Sequence, residues 1–122
     1  MEVSMLNPKS IQVIHDLYQK TMDHKLKSVW MKSINDNVFQ ISYPTFTIKI
    51  IKTTKNLETG FIVQILNENA ELMVEITDND LTGVKEFQNG HAFEMLQELY
   101  NEAQLQAFGY DDKFIDEVIR SL

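Results

Sequence analysis

The sequence contains no cysteine, two prolines, four glycines and few cations. Without cysteine there is no disulfide, no thiolate nucleophile and no cysteine-ligated zinc. Eleven Lys and Arg against eighteen Asp and Glu leave a formal charge of −7, the opposite of the basic surface that a nucleic-acid backbone requires. The glycines Gly60, Gly83, Gly90 and Gly109 stand alone, so no glycine-rich loop is present to cradle a phosphate. None of the serines lies in a Gly-x-Ser-x-Gly elbow. No segment reaches the roughly 20 apolar residues of a membrane span. Met1 to Leu6 carry one charge, Glu2, and no apolar stretch, so the secretory pattern is missing and the expected compartment is the cytoplasm.

What is present describes one globular domain. The 122 residues, 43% hydrophobic and 24% charged, suffice for a core that buries about two-thirds of the unfolded surface. Asn7-Pro8 is a helix start, with a capping side chain followed by a residue that needs no N–H there. Ile11, Ile14, Leu17, Tyr18, Met22 and Leu26 recur at spacings of three and four and predict a helix from about Pro8 to Lys27. Val29-Trp30-Met31 reads equally as the end of that helix or the start of a strand. Apolar residues at every second position then mark four strands, around Phe39–Tyr43, Phe46–Ile50, Phe61–Ile65 and Leu72–Ile76, with Lys52 to Gly60 a polar connector. Short connections favour an antiparallel meander.

Asp78 to Gly90 reads as a loop-rich crossing. Phe93, Leu96, Leu99, Tyr100 and Ala103 predict a helix from about His91 to Ala107, capped at Gly109. Asp111 then caps a last short helix with apolar positions Phe114, Ile115, Val118, Ile119 and Leu122. The expected fold is α+β in two layers: about four antiparallel strands covered by an N-terminal helix and two C-terminal helices. The tail Leu96-Gln97-Glu98-Leu99-Tyr100-Asn101-Glu102-Ala103, followed by Asp111 through Leu122, resembles the ending of small uncharacterised bacterial proteins. That resemblance implies the same order of helix, meander and helical pair, and no chemistry.

Candidate sites are sparse. Asp78-Asn79-Asp80-Leu81-Thr82-Gly83 imitates the start of a calcium loop, but its twelfth position is Asn89 rather than Glu. Asp78 and Asp80 are therefore weak metal candidates, better read as turn acids. His91, Glu94 and Glu98 share a helix face without naming a metal. Asp111-Asp112 and Asp116-Glu117 fit a terminal helix better than an acid–base pair. No catalytic residue and no cofactor is predicted, and a non-catalytic role is favoured.

Charge is uneven along the chain. Residues 1–61 carry eight Lys and five acids, +3, whereas residues 62–122 carry three Lys or Arg and thirteen acids, −10. Glu94, Glu98 and Glu102 repeat every fourth residue as an acidic stripe. The stripe either pairs with Lys20, Lys25 or Lys27 of the first helix or docks a protein partner with a basic surface. The leading expectation is a protein-binding module, an accessory, inhibitor or immunity-type protein by analogy of class. A small-molecule pocket between sheet and helices, lined by Tyr18, Trp30, His91 and Tyr100, is the alternative. A homodimer is the third.

Overall fold

The computed structural model describes residues 7–82, 84, 91–108 and 112–122. The chain begins with helix α1, Pro8–Met22, and continues through strands β1 Met31–Lys32, β2 Val38–Ser42, β3 Phe46–Lys55, β4 Glu58–Asn67 and β5 Leu72–Thr77. Helices α2 Asp78–Leu81, α3 His91–Phe108 and α4 Asp112–Ser121 follow. The strands form one antiparallel sheet in sequence order, a meander. The α+β class and the antiparallel sheet agree with the sequence pattern, and β1 adds a fifth, two-residue strand at the edge.

Period-two alternation sorts the side chains into two faces. Phe39, Ile50, Val63 and Ile76 pair across four strands in one row, and all four are buried. The adjacent row on that face is Ile41, Ile48, Ile65 and Val74. Here burial fades: Ile41 and Ile48 are buried, while Ile65 and Val74 are half-covered. The opposite face carries the polar row Gln40, Lys49, Gln64 and Glu75, with Gln64 Nε2 donating to Glu75 Oε1 at 2.8 Å.

Two helices cover the apolar face. Helix α1 buries Ile14, Leu17 and Thr21, and α3 buries Ala92, Leu96, Leu99, Tyr100 and Ala103. Trp30 and Leu81 complete the same core. The fourth helix departs from expectation. Residues 115–122, which include Ile115, Val118, Ile119 and Leu122, are exposed. The cover on the sheet therefore comes from α1 and α3, and these α4 side chains stand outside the core. The expected caps at Gly109 and Asp111 lie outside the described residues.

Two boundaries differ from the sequence reading for a shared reason. Helix α1 stops at Met22, five residues before the expected Lys27. His24 there takes φ 57°, its N–H donates to Thr21 O, and Lys25 N–H donates to Lys20 O. This is the double-bonded helix end that glycine usually supplies. Val29 and Trp30 lie outside both helix and strand, and Met31 opens β1. The connector expected over Lys52–Gly60 shrinks to two residues, because β3 and β4 pair out to Lys55 and Glu58. Asn56 and Leu57 make that turn at φ 53° and 68°. Both backbone reversals use left-handed residues that are not glycine.

Candidate functional site

The acidic stripe is built into the contact between α1 and α3. Tyr18 Oη donates to Glu98 Oε1 at 2.6 Å. Glu102 Oε2 lies 3.4 Å from His24 Nε2 and accepts from Gln106 Nε2 at 3.1 Å. Gln106 Nε2 also donates to Thr21 O at 2.9 Å. The helices thus pair through a phenol, an imidazole and an amide rather than through Lys20, Lys25 or Lys27. Glu94 is exposed at the start of α3. Gln106 and His24 escape sequence reasoning because neither residue type nor spacing marks a hydrogen bond between helices.

Tyr18 gives this contact a pH signature. Its phenol is held above the usual tyrosine range, first by the bond to Glu98, then by burial and by the Glu98 charge. Burial raises Tyr100 in the same direction. An acid whose pKa is raised in the folded state stabilises that state fully below its unfolded value, 10.0 for tyrosine. The contribution is lost as pH climbs through the folded value. Stability is therefore expected to fall above about pH 10. Tyr18→Phe should cost about 1 kcal/mol at pH 7 and flatten part of the alkaline loss. Urea titrations of both proteins from pH 7 to 11 check this; an unchanged alkaline slope in the variant contradicts it.

The four pocket candidates stand in different settings. Trp30 is buried and donates Nε1–H to Thr21 Oγ1 at 3.2 Å. The Tyr100 ring packs edge-on to Phe39, with centroids 5.3 Å apart, and carries Lys52 Nζ 5.8 Å above it. Tyr18 is engaged with Glu98, and His91 is exposed. None of the four lines any of the three hollows described next.

Asp78 and Asp80 serve backbone donors. Asp80 Oδ2 accepts from Thr77 N at 2.9 Å while Thr77 Oγ1 accepts from Asp80 N at 3.0 Å, a reciprocal cap on α2. Asp78 Oδ1 accepts from Phe61 N at 2.9 Å. Gly83 and Asn89, the other test positions of a calcium loop, lie outside the described residues. Among the described residues, no three His, Asp or Glu gather as a metal site, and no helix is long and apolar enough to cross a membrane.

Among the described residues, three hollows stand out. A polar one of about 540 Å³ lies between the β3–β4 turn and α2, with Thr53, Thr59, Gly60 and Asp78 in its wall. A second, about 270 Å³, sits at the β2–β3 and β4–β5 turns beside Tyr43, Pro44 and Asn67. The third is apolar, about 380 Å³, and runs between α1 and the sheet. Its helix wall is Val13, Asp16, Leu17 and Lys20; its floor includes Ile41, Tyr43, Phe46, Ile48 and Ile65. This is where the second inward row of the sheet loses its cover. Comparison with protein-family models, curated proteins and solved structures finds no match for this chain.

Proposed function

We propose that the chain is a non-enzymatic protein-binding module whose acidic C-terminal half makes the contact, through α4. One observation carries the reading. Ile115, Val118, Ile119 and Leu122 form an i, i+3, i+4, i+7 stripe, and they are 43%, 39%, 63% and 98% exposed. Such a stripe is the pattern a helix uses when it lies in an apolar groove. Asp116 flanks it, which favours a partner groove with positive charge at its rim. The α3 stripe is less suited to that work, because Glu98 and Glu102 already hold α1.

The test is affinity capture with tagged full-length chain, run beside Val118→Asp/Ile119→Asp and Glu94→Gln/Glu98→Gln/Glu102→Gln. The α4 variant should keep the far-ultraviolet circular dichroism of the parent and lose the bound protein. The α3 variant should retain it. A bound protein indifferent to the α4 change, or lost only with the α3 change, refutes the assignment to α4. An apolar small molecule in the α1–sheet groove is the second reading, favoured by the groove's position between helix and sheet. It predicts a thermal shift with apolar ligands that the α4 variant shares.

A further inference from the structure

We infer that the groove between α1 and the sheet receives α4 of a second copy of this chain, so that two copies exchange their C-terminal helices. The inference rests on the reading of α4 as the binding element and names its partner. Three observations meet here. The inward face of the sheet has a row whose cover fades at Ile65, beside Tyr43 and Phe46. The helix wall of that groove is Val13, Asp16, Leu17 and Lys20, again i, i+3, i+4, i+7. The α4 stripe has the same spacing, so wall and stripe both extend about 10 Å along their helices. A helix laid there would pack on the sheet beside α1, as α3 does on its other side.

Charge selects the same occupant. Apart from Ile65, the groove's lining comes from the half of the chain with +3, and α4 from the half with −10. Lys20 stands at the rim, and Asp116 borders the α4 stripe. Because both surfaces are present on every copy, a two-fold axis satisfies them twice and closes the assembly.

The absence of cysteine makes a direct test available. Val13→Cys and Ile119→Cys are prepared as separate full-length proteins, mixed, and treated with a short bismaleimide. A cross-linked species of twice the chain mass is expected in the mixture. In sedimentation, the parent should dimerise with a dissociation constant at least tenfold tighter than Val118→Asp/Ile119→Asp. The double variant Val13→Cys/Ile119→Cys, diluted before cross-linking, reads the other occupant. Cross-linking within one chain there, without the mixed dimer, overturns the exchange in favour of the chain's own α4. A parent that stays monomeric at every concentration overturns it as well. If self-association fails while the α4 variant still loses a different protein, the binding role of α4 stands and only its assigned partner falls.

Discussion

Trp30→Ala is expected to cost about 4 kcal/mol of folding stability. Trp30 is 2% exposed and is among the largest fully buried side chains of the core. It belongs to neither a helix nor a strand, so its place is set by tertiary contacts. Truncation removes apolar burial and opens a cavity that the rigid α1–sheet sandwich closes only in part. It also takes the indole N–H from the Thr21 hydroxyl, which is buried on α1. An acceptor left without its donor in the interior adds to the loss. Circular dichroism in urea measures the effect, since the variant has no tryptophan left to fluoresce. Trp30→Phe, which restores the ring but not the donor, should fall between the two. A loss below about 1 kcal/mol for alanine would mean that Trp30 is not the plug the structure makes it.

Phe61→Ala should be comparably damaging, about 3–5 kcal/mol. Phe61 sits 1% exposed on the interior strand β4, its ring centroid 5.3 Å from Phe93 and 5.7 Å from Tyr100. Removing it strips two aromatic contacts as well as the area they bury. Four residues earlier, Leu57 at the turn is 98% exposed, and Leu57→Ala should change stability by less than about 0.5 kcal/mol. Thermal denaturation of the pair separates strand from turn. Similar midpoints for both variants would contradict the inward direction of Phe61.

Much of the fold is legible in the residues because the core obeys simple periods. Phe39 and Ile41, and Ile48 and Ile50, alternate with polar neighbours, Phe61 and Val63 keep the same period, and those pairs occupy the inward rows. Leu96, Leu99 and Ala103 likewise mark the buried side of α3. Boundaries are less legible where the usual punctuation is replaced. His24 ends α1 in the position glycine normally takes, and its ring is held by Glu102 and Gln106, residues far along the chain. Asn56-Leu57 turns a hairpin without glycine, so the segment reads as a long connector. Ile115 and Ile119 have the spacing of core residues, and spacing alone does not say which surface a stripe covers.

The candidate site is the least legible part for a related reason. Glu94, Glu98 and Glu102 look alike in sequence, yet Glu98 meets a tyrosine and Glu102 a histidine. Those partners lie on a helix brought alongside by tertiary packing. The α1–sheet groove leaves no local mark either, since Leu17, Phe46 and Ile65 come from three elements and each reads as core.

The meander topology has a kinetic consequence. Each strand pairs with the next in sequence, so most of the sheet closes through short loops, which are fast to form. The α1–α3 contact is different: Tyr18 reaches Glu98 across 80 positions, and Gln106 reaches Thr21 across 85. That closure gives up the most chain entropy and gains its contacts last. The first helix is thus the piece that docks late and lifts early, and its amides should exchange with solvent ahead of those in the central strands.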